Sequence, residues 1–407
     1  MRRGTSHVWQ RLRRRLDGGP SRVGRPGRIG WLAAAVAAAA LGGRALAEPV
    51  TAQVRQVYAT ARQQADQQVK AGQYEQAVAT AEGFLRQYPD SGICARGMAV
   101  LVEGVLSRNL TDPAKRHAVY QRAYDEFEAA TDYYCLGAVG LIREYVWGQG
   151  GVARDAKKAA DLAKEVIEKL GDRVPRDYYL GFNLYLQRLI ALRYAEGGEA
   201  ALAFARESAL ACPAMLSNKD FLRAICDAAK MTKDPKQTVS AAKLCYVLCD
   251  FKEDDLAKAT EAVATALTAS QGPGAALQFA KSQEDPETAS PLKDVPLWDL
   301  GDPDKLLEAA GAGDRNARIS VYLATGQTAK ALTEATEQMR QSAGAAPQYL
   351  ADALRNLARC FKAHDLNLIR ANQFLEFHRT GAGVNPLPEL EAELAAAPTA
   401  TPTEPRQ

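Results

Sequence analysis

Seven cysteines, three histidines beyond residue 47 and two serine–lysine spacings are the residues of this 407-residue chain that could do chemistry. His117, His364 and His378 stand alone, with no H-x-x-x-H or C-x-x-C pair to give a metal convergent ligands, so no metal site is expected. Ser240-Ala241-Ala242-Lys243 and Ser290-Pro291-Leu292-Lys293 match S-x-x-K. Neither has the S-D-N or K-T-G companions that an acylating serine enzyme needs. There is no G-x-S-x-G, and no glycine-rich loop ending in a lysine that would cradle a phosphate. Gly311-Ala312-Gly313 is short enough to be a turn. No catalytic residue and no cofactor follows, and the chain reads as a non-enzyme.

The cysteines admit two readings. Cys226, Cys245, Cys249 and Cys360 sit in helical patterns where Ala or Leu would also fit, which favours small buried side chains. Cys245 and Cys249 share a helix face and lie within reach of Cys226 on the preceding helix, which leaves one or two bridges open. An odd total leaves at least one thiol unpaired within the chain.

Helices must position all of these groups. The apolar share is 47% but only 7% is aromatic, much of the remainder is alanine, and strand-type alternation is scarce, so the fold class is all-α. The first 47 residues hold ten arginines, no lysine and one acid, Asp17, which leaves 41 basic and 47 acidic side chains beyond them. A mildly acidic body with mixed charge excludes a nucleic-acid partner, which requires a basic stripe. Within that leader, Ile29–Leu41 is an apolar run followed by Ala45-Leu46-Ala47. The combination resembles a cleavable secretory signal over residues 1–47, cut after Ala47, and predicts a periplasmic or secreted protein with no stable membrane span. The alternative is an inner-membrane anchor through 29–41, short against the roughly 20 residues of a comfortable span.

The most regular stretch is Ala71–Ser91. Gly72-Gln73 make a turn; Tyr74, Ala77, Val78, Ala81, Phe84 and Leu85 then lay one apolar stripe along a helix, and Pro89 stops it. With its aromatic at Tyr74, small residues at Ala77 and Ala81 and closing Pro89, it resembles the second half of a tetratricopeptide repeat. Comparable markers recur at Ala118, Ala159, Ala201, Ala241, Ala276, Ala331 and Ala371, at steps of 41, 41, 42, 40, 35, 55 and 40. That near-constant step exceeds the family's 34 residues and predicts longer helices or connections. The units around Ala77, Ala201, Ala276 and Ala331 carry the resemblance. It implies an α-solenoid of stacked helix–turn–helix, tetratricopeptide-like repeats over 48–281 and 305–381. The proline- and acid-rich loop 282–304 interrupts it, as a surface loop packed through Leu292 and Trp298 or as a hinge between subdomains. The tail 382–407, rich in Pro, Thr and Ala, is expected to stay disordered apart from a turn or two of helix that Pro388–Leu394 allows, since Pro398, Pro402 and Pro405 keep the rest open.

The resemblance further implies a concave groove lined by first helices, and it places Arg62, Asn183, Arg193, Tyr194, Asn356 and His364 near it. Segment Phe84–Pro89 is similar to units of cell-envelope tetratricopeptide proteins, including outer-membrane assembly and cell-division coordination factors. The implied function is a protein–protein interaction scaffold of the bacterial cell envelope that holds a peptide or partner protein, with self-association also open. Aromatic residues crowd the span from Tyr120 to Tyr194, which serves a helical core, a peptide groove or, alternatively, a glycan or envelope-polymer site.

Overall fold

The computed structural model of the chain describes residues 50–129, 131–171, 178–342 and 347–396. The arginine-rich leader, the cleavage expected after Ala47 and the end of the tail lie outside these residues. The described residues form eighteen α-helices and no strand. No helix among them is long and apolar enough to cross a membrane. They fall into two compact units, one ending at Ala201 and the other beginning at Leu202.

The N-terminal unit contains α1 (Ala52–Lys70), α2 (Tyr74–Gln87), α3 (Ile93–Arg108), α4 (Pro113–Glu126), α5 (Asp132–Trp147), α6 (Ala156–Leu170) and α7 (Tyr178–Ala195). Gly72, at φ 75°, makes the turn between α1 and α2, a conformation that costs glycine little. The expected stripe of α2 is buried, with Ala77 and Ala81 fully so, and the helix ends at Gln87, two residues before Pro89. Aspartates and threonines start the helices: Thr51, Asp112, Thr131 and Asp155 each accept a backbone N–H in the first turn of α1, α4, α5 and α6.

Side chains tie α2, α4 and α6 together at an almost constant separation. Lys115 pairs with Glu75, Arg122 with Glu82 and Arg86 with Glu126, each forty residues apart. Tyr124 donates to Glu165, forty-one residues on. Helices α4 and α5 approach especially closely, because Gly137 and Gly140 present bare backbone to Tyr120, Ala123 and Tyr124.

The division of the chain falls within α8 (Gly198–Ala211). The C-terminal unit continues through a 3-10 turn at Pro213–Ser217, α9 (Lys219–Met231), α10 (Pro235–Leu248), α11 (Glu253–Gln271) and α12 (Pro273–Ser282). It resumes with α13 (Pro303–Ala310), α14 (Arg315–Ala324), α15 (Thr328–Ser342), α16 (Pro347–Asp365), α17 (Ile369–Thr380) and α18 (Leu387–Ala396). The near-forty separation recurs here. Asn356 donates to Asn316 at 2.7 Å and Arg359 to Ser320 at 3.0 Å, forty and thirty-nine residues away. Cys226 of α9 and Cys245 of α10 are joined as a disulfide, while Cys94, Cys135, Cys212, Cys249 and Cys360 are buried thiols.

Three sequence expectations meet a different structure. Ala118 is exposed, and its helix buries Val119 and Ala123 instead, so the small-residue marker is displaced in that unit. The tail carries more helix than a turn or two: α18 forms over Leu387–Ala396. Asn385 caps it at 3.1 Å, Leu387 and Leu390 are buried, and Glu393 pairs with Arg370 of α17. Pro388 is compatible because it falls in the first turn, where its missing N–H is no loss. Finally, 282–304 does not mark the division between units.

That loop lies wholly in the C-terminal unit and is pinned there. Leu292, Val295, Trp298 and Leu300 are buried, and the Arg206 guanidinium covers the Trp298 ring at 4.8 Å. Lys243, buried in α10, donates to the carbonyls of Leu292 at 2.8 Å and Val295 at 2.5 Å. Its burial holds the lysine pKa below the ordinary value. Lys243→Met strips the Val295 carbonyl of its side-chain donor, worth about 1–3 kcal/mol when left buried and unpaired, while the Leu292 carbonyl keeps the Val295 N–H at 3.2 Å. Limited proteolysis should therefore cut Lys243→Met within 282–304 well before the parent chain; equal cutting rates would show that the loop is held by its apolar residues alone.

Candidate functional site

A cleft of about 640 Å³ lies between α4, α5 and α6 in the N-terminal unit. Leu141 and Leu162 supply its apolar lining, Tyr124 and Tyr145 its aromatic walls, and Gln121, Asp155, Lys157, Lys158, Asp161 and Glu165 its polar rim. Helical spacing explains the rim, because Asp161, Leu162 and Glu165 lie three and four residues apart on one face of α6.

The walls are fixed by their neighbours. Tyr124 stacks on Tyr134 with centroids 5.1 Å apart and donates to Glu165 at 3.1 Å. Burial first, and then the carboxylate beside it, push the Tyr124 phenol above its usual range and keep it a neutral donor. The Lys158 ammonium lies 4.1 Å from the Tyr145 ring centroid, held there because Asp155 caps the Lys158 backbone at 2.8 Å. Lys157 pairs with Asp161 at 3.4 Å. The rim thus presents both signs of charge above two tyrosine faces.

Two residues beyond Tyr145, α5 ends at Trp147, where Gly148 turns the chain with left-handed backbone. Trp147 remains 45% exposed and meets Tyr194 of α7 edge to face at 5.5 Å. Tyr194 is itself 37% exposed and carries two guanidiniums, Arg154 at 4.7 Å and Arg193 at 4.6 Å from its ring centroid. Arg193 also donates to the Tyr194 hydroxyl at 2.7 Å. Half-exposed Trp and Tyr held by arginine are the residue types that anchor protein interfaces. Continuity along α5 and the 148–155 loop joins this patch to the cleft.

Of the six groove residues named from the sequence, the structure brings Arg193 and Tyr194 together in this patch. Arg62 is occupied locally, by Asp66 at 3.2 Å and the Gly97 carbonyl at 2.9 Å. Asn183 lines a second, much smaller cavity of about 60 Å³ with Tyr120, Gly140 and Arg143. Asn356 is corrected to a buried structural residue of the C-terminal unit: it is 5% exposed, and its amide is spent on Asn316 and Gln338. His364 in the same unit bonds to Asp365 at 2.9 Å, and the Asp365 and Glu393 carboxylates both accept from the Arg370 guanidinium.

The residues missed were Arg154, Lys158 and Glu165. The signal for them was present: Tyr145-x-Trp147 immediately before a glycine-rich turn presents aromatics at a helix end.

Groups with reactive potential are kept quiet by burial. The Cys212 thiol is pushed up to about 11 and the Cys360 thiol to about 12, both chiefly by desolvation, so neither is a thiolate at neutral pH. In the N-terminal unit His117 meets the buried Glu144 carboxyl at 2.6 Å, and burial raises that carboxyl above the usual range. Gly150 folds against the same carboxyl, leaving no room there for even a Cβ.

Comparison with known proteins returns no matching family model, no matching curated protein and no matching solved structure. The functional reading therefore rests on the geometry above.

Proposed function

We propose that the chain is a non-enzymatic binding scaffold, an exported α-solenoid of tetratricopeptide-like repeats that holds a peptide segment of a partner protein. The forty-residue ladder of side-chain bonds supports the architecture, because equivalent positions of successive units meet only when the units stack in register. The arginine-rich leader and the A-x-A sequence before Glu48 support export to the periplasm or beyond.

The function itself is carried by one observation: Trp147 and Tyr194 stand half-exposed beside a cleft of mixed charge, already fixed by Arg154 and Arg193. A preformed aromatic anchor binds at low ordering cost, since these rings lose little rotamer freedom. Tyr124 and Tyr145 then accept apolar parts of the segment, and Lys158, Asp161 and Glu165 accept its charges.

The test is site-specific photo-crosslinking in the native host, with the probe at Gln121 on the cleft rim. One discrete adduct is expected, and Trp147→Ala with Tyr194→Ala should lower its yield about ten-fold or more. A yield unchanged by the double substitution would sink the anchor. Soluble envelope glycans are the contrasting ligand, with Tyr faces and rim carboxylates as their sugar-binding groups. A saturable change of Trp147 fluorescence with such glycans, together with no protein adduct, would replace the peptide reading.

A further inference from the structure

A buried amine lies against a buried thiol in the C-terminal unit. Lys362 of α16 has no exposed surface. Its Nζ donates to the Cys249 carbonyl at 2.6 Å and sits 3.1 Å from the Cys249 sulfur. The Tyr246 and Phe251 rings lie 5.4 Å and 4.8 Å from the same nitrogen. Among the described residues, the polar partners of the Lys362 amine are these two atoms of Cys249, with no carboxylate paired to it. Cys249 is a free thiol at the end of α10 with 6% of its surface exposed, which gives a small oxidant access while excluding larger thiols.

We propose that Cys249 and Lys362 form a reversible covalent bridge in which one oxygen atom joins the sulfur to the lysine nitrogen, and that hydrogen peroxide is the oxidant that makes it. The sulfur first attacks one peroxide oxygen, giving a sulfenic acid and water. A second peroxide then oxidises the lysine nitrogen as the N–O bond to the sulfenic oxygen closes, and two waters leave. In sum, one thiol, one amine and two peroxides give the S–O–N link and three waters; sulfur and nitrogen are oxidised and the peroxide oxygens reduced.

Three features favour this pair. The two atoms are already in van der Waals contact, so a single intervening oxygen requires little movement of either helix. Burial depresses the lysine pKa, which supplies the neutral amine that the second step needs. The pocket excludes bulk water and other thiols, which protects the sulfenic acid from disulfide exchange. The product would clip α10 to α16 across 113 residues of sequence. It would work alongside the Cys226–Cys245 bridge already present on α10.

The experiment uses the full chain, treated with hydrogen peroxide, alkylated under denaturing conditions without reductant and digested with trypsin. The expected product joins peptide 244–252, with its disulfide partner 224–230, to peptide 360–370 left uncut at Lys362. It should be about 14 Da heavier than its unbridged parts, one oxygen gained and two hydrogens lost, and dithiothreitol should abolish it. Cys249→Ser and Lys362→Met should each remove the product. Because the reading is made on the parent chain, it survives a failure of either variant to fold. The proposal is overturned if peroxide-treated parent chain yields alkylated or sulfinic Cys249 together with normal cleavage at Lys362. It is equally overturned if the link forms with loss of two hydrogens and no added oxygen.

Discussion

Gly137→Ala should unfold at markedly lower urea than the parent chain, and Gly83→Ala at slightly higher urea. Both glycines sit inside helices, and intrinsic propensity alone favours alanine at each by about 0.5–1 kcal/mol. What separates them is the neighbour. A Cβ on Gly83 meets nothing within 4 Å, so the propensity gain is realised. A Cβ on Gly137 would lie 2.7 Å from the Tyr120 carbonyl oxygen, 2.7 Å from the Tyr124 nitrogen and 2.9 Å from the Ala123 Cβ. Two of these are backbone atoms of α4, which yield only if the helix moves. Overpacking of this kind costs about 1–3 kcal/mol, at the upper end where the neighbour is rigid, so after the propensity gain the net effect of Gly137→Ala is a loss of about 2 kcal/mol.

The same substitution reaches the cleft. Displacing α4 from α5 parts Tyr124 and Gln121 from Leu141 and Tyr145, which line it together. Loss of the Gln121 crosslink in Gly137→Ala under conditions where circular dichroism remains native would tie the close approach to binding. A Gly137→Ala chain as stable as the parent would show that the two helices separate freely.

Position 137 also shows where sequence reading stops. The stripe Ala77, Val78, Ala81, Phe84 and Leu85 could be read directly, because one helix buries one face and the period is local. Ala159, Ala201, Ala241, Ala276, Ala331 and Ala371 are all buried, as small residues on the inner face of a helix are. Ala118 is exposed instead, and its helix approaches α5 closely where Gly137 and Gly140 carry no side chain. Nothing local in D-Y-Y-C-L-G-A-V-G tells that two glycines face a partner helix. The candidate site was half legible for the same reason. Arg193 and Tyr194 follow from helix position, whereas Arg154 reaches Tyr194 through a loop whose course depends on three glycines, Gly148, Gly150 and Gly151. Asn356 looked available as a polar residue on a helix, and its burial depends on Asn316 and Gln338 arriving from two other helices.

Glu82→Ala should markedly destabilise the N-terminal unit. The Glu82 carboxylate is 5% exposed and accepts from Tyr133 at 2.8 Å and Arg122 at 3.2 Å, with Arg86 at 3.7 Å. It therefore joins α2 to α4 and α5 at one point. The Tyr133 ring and hydroxyl are fully buried, and desolvation, followed by the adjacent carboxylate, raises the phenol pKa far above its normal value. Removing the acceptor leaves that hydroxyl with nowhere to donate. Arg122 loses its carboxylate, while Arg86 keeps Glu126 at 2.8 Å. Leaving the buried Tyr133 hydroxyl unpaired costs about 1–3 kcal/mol, whereas the Arg122 and Arg86 side chains, 40% and 48% exposed, regain water. Glu82→Gln retains an acceptor for Tyr133 and should cost less than half as much.

The double variant Glu82→Ala with Tyr133→Phe separates the causes. If the orphaned hydroxyl carries the penalty, the pair together should be more stable than Glu82→Ala alone by about 1–3 kcal/mol, read from urea midpoints at equal m-value. Simple additivity of the two losses would instead assign the cost to the arginines. That result would make the Glu82–Arg122 pair, rather than the buried phenol, the contact that holds α2 against α4.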